Sequence, residues 1–372
     1  MSRPLRVLLV TASPERGGAE TVVQQLLEGL DRSRVEPSVV ALYEGAFAEE
    51  LREAGAPIVH AGTLGRMRHV GRGLGVLNRL TAAVRAGGFD IVHSHGTLAH
   101  IVGGVAAWRA RVPAIHHVHD LYDDTRSADA VLQHIALRVP AAAIVAVSHS
   151  ARSRLIASGA PWNRVRVVQN GVSLTPTPPA FPPDGATVVW CGRLLRWKGA
   201  HVFLEAARMV KRAHPNARFW VVGGAVARKE PDYAAELEDT ASRPPLDGAV
   251  TFTGHVPDAR TYIAAADVVV HSSISPEPFG LVIAEALAEN KPIVAFDEGG
   301  PAEMIESGRS GRLVAPGDVE GMAAAVDELL RKPDLRARIA EGALRRARHF
   351  GLEAMLRRMH FAYDEVAGGG AR

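Results

Sequence analysis

The chain has 372 residues, 47% of them apolar and 22% charged, with one cysteine, Cys191. This length points to two domains, because a single core rarely outgrows roughly 250–300 residues. The composition excludes wholesale disorder, a disulfide framework and a cysteine-held zinc site. The 43 basic and 40 acidic side chains leave a net charge of +3, too small to attract nucleic acid as a whole. No apolar run approaches the roughly 20 residues of a membrane-spanning helix, and no leader-like segment opens the chain, so a cytoplasmic protein is expected.

The chain begins with a short apolar, β-branched segment over 6–11, a glycine pair at Gly17 and Gly18, and an amphipathic helix over 19–30. Strands are expected at 37–42, 58–60, 90–93, 112–118, 142–147 and 165–168. Helices are expected near 46–54, 71–87, 100–107 and 150–157. Continuously apolar strands alternating with helices predict a parallel sheet covered on both faces, with ligands at the C-terminal ends of the strands. Between Glu53 and Asp90 there is no acid, while Arg66, Arg68, Arg72, Arg79 and Arg85 all fall there. One reading is a solvated helix face. The other is a contact for an anionic acceptor or for the inner face of a membrane.

The pattern then breaks at a proline-rich linker over 174–185. A second alternating run follows. Its expected strands are 187–191, 218–222, 250–253, 268–271, 293–296 and 312–314, and its expected helices are 200–213, 233–240, 281–288, 319–330 and 334–347. A last helix over about 352–366 closes the chain. The expected fold is therefore α/β, with two doubly wound, Rossmann-like domains: 1–173 and 186–349, facing an inter-domain cleft.

The richest segment for chemistry is SPEPFGLVIAEALAE, from Ser275 to Glu289. Pro276 and Pro278 hold the helix start back to Phe279 or Gly280. That leaves Glu277 in the loop at the helix mouth and Glu285 about one turn into the helix. The first amides, near Gly280, Leu281 and Val282, lack helical partners and lie at the positive helix end, a place for a phosphate. A carboxylate on each side accepts hydrogen bonds from hydroxyls, so the set suits a nucleotide-sugar. In CGRLLRWKG, Arg193 and Lys198 follow a strand and suit a diphosphate whose charge grows as it departs. Gly17 and Gly18 in PERGGAE permit close backbone approach to a ligand. Val256 in TGHVPD and the glycine pair Gly299-Gly300 face the same place, Val256 against a base.

His93, His95, His116, His117 and His119 end two strands of the first half. No Glu-x-x-His helix signature accompanies them, so hydrogen-bonded site or structural roles are expected, with His119 orienting a sugar hydroxyl and no metal bound. No two aspartates stand two apart, so an Asp-x-Asp metal clamp is missing. GxGxxG with a following acid is absent from both halves, which disfavours a dinucleotide dehydrogenase. Cys191 is expected to be a buried small apolar residue.

These segments resemble the retaining GT-B glycosyltransferases of the family 4, "glycosyl transferases group 1" class. PERGGAE, DIVHSHG, the strand ending VHD, VVQNGVS, GRLLRWKG, ADVVVHSS, EPFGLVIAEALA and GGPAEMI with GRLVAPGD occur in the family's order over nearly the whole chain. The resemblance implies transfer of a hexose from a nucleotide-diphosphate sugar to a hydroxyl of a glycan, glycolipid or small molecule, with retention and without a metal or other cofactor. A UDP-sugar is the favoured donor and GDP-mannose the second. It implies that Arg193 and Lys198 hold the diphosphate, and that amides from Phe279 to Val282 hold diphosphate and sugar. Glu277 would bind the sugar hydroxyls, Glu285 the ribose and Val256 the base. Gly18 would approach the phosphate from the other domain, and His119 would sit near the reacting carbon. The helix over about 350–367 would pack back on the N-terminal domain. VGGAVARKEPDY departs from the family's Gly-x-Gly-Pro turn, and Asn290 stands where a glycine commonly ends the helix. A nucleotide-sugar-binding protein without turnover and a nucleotide-sugar epimerase of the same shape are the alternatives.

Overall fold

A computed structural model describes residues 3–64, 70–122, 127–182, 186–225 and 230–369, omitting the side chains of 70–72. Arg66 and Arg68, the side chain of Arg72, and residues 183–185 and 226–229 lie outside the described residues. The chain forms two compact units: Met1–Gly171 with Leu352–Arg372, and Val172–Gly351.

The first unit runs β1 (Leu5–Thr11), α1 (Gly18–Gly29), β2 (Val35–Ala41), α2 (Ala46–Glu53), α3 (Val70–Ala86), β3 (Ile91–His95), α4 (Thr97–Ala110), β4 (Ala114–Val118), α5 (Ala128–Arg138), β5 (Ala143–Ala146), α6 (His149–Ala157) and β6 (Val165–Val167). Its six strands are parallel in the order β2-β1-β3-β4-β5-β6. Every residue of β3, β4 and β5 is buried, as expected of strands covered on both faces.

The second unit runs β7 (Thr187–Cys191), α7 (Ala200–Ala213), β8 (Arg218–Val222), α8 (Tyr233–Ala241), β9 (Val250–Gly254), α9 (Arg260–Ala265), β10 (Val268–His271), α10 (Leu281–Ala288), β11 (Ile293–Phe296), α11 (Gly300–Met304), β12 (Arg312–Val314), α12 (Val319–Arg331) and α13 (Pro333–Ala347). Its parallel order is β12-β11-β10-β7-β8-β9. From β7 the chain builds outward through β8 and β9, then starts again on the other side with β10. The switch point of this sheet therefore lies between β7 and β10, where open α/β sheets bind ligands. The last helix, α14 (Leu352–Gly369), belongs to the first unit. Its Met355, Met359, Tyr363 and Val366 join Val7, Leu9, Val22 and Leu26 in one core.

Three local differences from the sequence expectations have physical causes. The 58–60 strand is reduced to a single bridge, Val39 to Ile58, directly after Pro57. Helix α5 was not expected, because its apolar Val131 and Ile135 are 54% and 44% exposed and trace no core-facing stripe. Its signal was the cap instead: Ser127 Oγ accepts from the Ala130 amide at 3.1 Å. The linker is laid along the second unit. Thr177 N donates to Glu289 Oε2 at 3.1 Å, Ala180 N donates to Thr261 O at 2.8 Å, and Phe181 stacks on Trp220 at 4.4 Å.

Candidate active site

In the second unit the site grows from the loops after β7 and β10. Buried Trp190 donates through Nε1 to Ser272 Oγ at 3.0 Å, and Ser272 Oγ donates to Gly199 O at 2.7 Å. Gly199 takes a left-handed φ of 73°, and a Cβ there would fall 1.8 Å from Ser272 O. Only glycine fits. This contact fixes the turn that carries Lys198, whose Nζ donates to both carboxylate oxygens of Glu277 at 2.8 Å. Glu277 Oε2 also accepts from Ser273 Oγ at 3.1 Å and lies 3.4 Å from His271 Nε2. Burial alone raises the Glu277 carboxyl, but Lys198 and His271 overcome it and hold the group well below the usual carboxylate range. The Glu277 backbone is fixed in turn by α11. Gly300 N donates to Glu277 O at 2.8 Å, and a Cβ on Gly299 would stand 2.6 Å from that same oxygen.

Helix α10 opens next to this pair. Gly280 caps it at a φ of 92°. Phe279 is buried and meets Phe350 edge-on at 5.9 Å. Leu281 and Val282 are half-buried, and their amides fall in the helix's first turn, where no helical acceptor exists. Glu285 sits one turn further on, half-buried. Its carboxyl is pushed up to about 7 by burial, which outweighs the lowering effect of Arg260. Asn290 takes the left-handed φ of 57° expected of a glycine substitute past the helix end. Arg193 is exposed and forms no ion pair among the described residues. Val256 follows β9, half-buried, beyond a register shift at Val221 and Val222. Cys191 is buried and its thiol is pushed up, first by burial and then by Glu285, which leaves it inert as a nucleophile.

In the first unit Gly17 ends the loop after β1 and caps α1, with Gly18 the first helical residue. Its φ of −143° is ordinary extended backbone, so no left-handed turn requires a glycine at position 17. His119 follows β4, half-buried, with its Nε2 3.0 Å from His95 Nδ1. Burial, and secondarily His100, lower its imidazole to about 3. It is neutral at physiological pH, so it can hydrogen-bond a hydroxyl but is no proton donor of imidazolium type. Of the basic span, Arg79 and Arg85 are tied to backbone, donating to Ala61 O at 2.9 Å and Arg109 O at 2.5 Å. No helix among the described residues is long and apolar enough to cross a membrane.

Lys198, Glu277 and the mouth of α10 thus meet at the switch point of the second sheet, while Gly17, Gly18 and His119 belong to the first unit. His271 and Ser273 were missed as site residues. Their signal was a polar H-S-S run ending an otherwise apolar strand directly before the SPEP loop.

Comparison with known proteins agrees with this geometry. The family "Glycosyl transferases group 1" matches residues 175–346, and "Glycosyltransferase Family 4" matches 16–175. A D-inositol 3-phosphate glycosyltransferase from Catenulispora acidiphila is 33% identical over 75% of this chain and 71% of its own length. A protein of that name from Thermobispora bispora is 32% identical over 78% and 74%. The crystal structure of Anabaena HepE in complex with UDP and glucose superposes with a TM-score of 0.85 at 26% identity, covering 97% of this chain and all of that one. With its two parallel six-stranded sheets, the chain has the GT-B fold and belongs to the group 1, family 4 glycosyltransferases.

Proposed function

We propose that the chain transfers a hexose from a UDP-sugar to a hydroxyl acceptor with retention and without a metal in the transfer step. GDP-mannose is the second donor. The observation that carries the reading is the Lys198–Glu277 pair beside the Gly280-capped helix. It sets a cation, a carboxylate held ionised beside it and the first-turn amides of α10 within one loop cluster. Support comes from HepE, which was crystallised with UDP and with UDP-glucose. In the proposed step the bond from sugar C1 to the diphosphate oxygen breaks, and the electron pair stays on that oxygen. Arg193, Lys198 and the Leu281 and Val282 amides take up its growing charge. The acceptor oxygen bonds C1 on the face the diphosphate leaves, and its proton passes to a departing phosphate oxygen. Glu277 accepts from sugar hydroxyls, Glu285 from the ribose, and neutral His119 holds a hydroxyl near C1. The acceptor is a glycan, a glycolipid or a small polyol; the relatives' names make a phosphorylated inositol the first to try.

The test is a thermal-shift and turnover screen in EDTA with UDP-, GDP- and ADP-sugars. Saturation at about 100 times Kd adds about 2.7 kcal/mol, an easily read shift. Glu277→Gln is expected to lower turnover roughly 10- to 100-fold, the loss of a charged hydrogen bond, and its melt is read alongside because Lys198 loses its carboxylate partner. A shift without turnover for any acceptor supports a binding protein instead. No shift with any nucleotide overturns the reading.

A further inference from the structure

His93, His95 and His117, on β3 and β4, form a cluster to which the proposed transfer gives no direct role. His93 and His117 are fully buried, and His95 is 2% exposed. One ring nitrogen from each of the three falls within 4.8 Å of the others. The rings lie 4.3 Å (His93–His95), 5.1 Å (His95–His117) and 5.3 Å (His93–His117) apart, centroid to centroid. The outer nitrogens are already held. His93 Nδ1 meets Tyr363 Oη on α14 at 2.8 Å, and His95 Nδ1 meets His119 Nε2 at 3.0 Å. That leaves Nε2 of His93, Nε2 of His95 and both nitrogens of His117, all buried and none with a partner among the described residues. Buried polar atoms are almost always satisfied, so four orphans in one spot call for a ligand. A neutral imidazole offers one lone pair, and a metal ion that takes one from each of the three rings satisfies three of these atoms together.

We infer that His93, His95 and His117 form a binding site for a borderline transition-metal ion such as Zn²⁺ or Co²⁺, within the first unit. Three neutral imidazoles are the donor set that such ions favour over Mg²⁺ or Ca²⁺. The arrangement is also that of a ligating histidine whose second nitrogen is fixed by an outer partner, here Tyr363 for His93 and His119 for His95. Bonds of about 2.0–2.1 Å to each nitrogen require the rings to draw together, and three ligands leave a fourth position for water. The sequence hid the site because its ligands come from two strands in an H-x-H and an H-H-x-H run. Adjacent parallel strands pair His93 with Ile115 and His95 with His117.

The test titrates Co²⁺ into the chelated, dialysed full-length chain and reads its visible absorption. We expect one equivalent to give the intense d–d bands of a low-symmetry site, displaced by Zn²⁺. The bands should be lost in His93→Gln and in His117→Gln, and retained in the exposed His60→Gln. Each variant's melt is measured alongside. If a variant fails to fold, X-ray absorption on the loaded unmodified chain counts the imidazole ligands, and three are expected. Absent bands, bands that survive both substitutions in folded protein, or fewer than three imidazoles overturn the site. Nucleotide binding, which rests on Arg193 and Lys198, is read separately, so either proposal can fail without the other.

Discussion

Arg193 and Lys198 were read from the sequence as an equivalent pair of phosphate-binding cations, yet their surroundings make them different experiments. Lys198 neutralises a buried carboxylate, and stripping one partner from such a pair costs about 3–5 kcal/mol. Lys198→Ala therefore confounds binding with stability. Arg193 is exposed and forms no ion pair among the described residues. Arg193→Ala should lower kcat/KM for the nucleotide-sugar roughly 10- to 100-fold, the range of a lost charged hydrogen bond, with an unchanged melting temperature; unaltered kinetics would remove it from the site. The two glutamates also differ. The Glu285 carboxyl lies at about 7, above its ordinary 4.5. The folded state therefore binds more protons than the unfolded state between those values. Its stabilising contribution is complete below 4.5 and is lost as pH rises through 7. Glu285→Gln removes that slope, so the variant should gain on the parent by about 2–3 kcal/mol between about pH 5 and pH 8. Paired urea melts at the two pH values check this, and parallel pH dependences would refute it. Glu277 has the opposite sign, its contribution being present above the ordinary carboxylate value and lost in acid. Residue types and loop placement were legible because strand ends and prolines mark them. The opposed titration of Glu277 and Glu285 was not, since it depends on Lys198, 79 positions away from its partner.

At the scale of elements, long apolar strands and strongly amphipathic helices were readable almost to the residue. Apart from Thr187 and His271 at their ends, β7 and β10 are apolar runs, and α7 carries its buried side chains in one stripe. Helices of five or six residues, α9 and α11, and the largely exposed α5 escaped. So did the contacts that hold loops in place: nothing in GRLLRWKG or ADVVVHSS announces that Trp190, Ser272 and Gly199 form one chain of hydrogen bonds. That chain sets the height of Lys198. Gly199→Ala puts a methyl on Ser272 O in a left-handed conformation, and should cost about 1–3 kcal/mol of stability while also weakening UDP binding. Wild-type melting and affinity in Gly199→Ala would mean that the turn adapts and that the glycine is not what places the lysine.

For the whole molecule, the division into units follows burial rather than sequence order. Deleting 352–372 takes Met355, Met359, Tyr363 and Val366 out of the first unit's core. At about 1.5–3 kcal/mol per large buried side chain, that loss rivals a whole domain's stability of about 5–15 kcal/mol. The truncated chain should lose amide-exchange protection across β1–β6 and keep it across β7–β12. Uniform protection would place α14 outside the core. The fragment 172–351, by contrast, is continuous, and should fold alone and still bind UDP. The same interleaving has a consequence for how the protein is made. A ribosome delivers residues in order, and the chain's second unit is complete once residue 351 has emerged. The first unit, begun earlier, must wait for α14. The nascent chain therefore carries an open apolar groove along α1 and β1 through the synthesis of some 180 further residues, the interval in which a chaperone has most to cover.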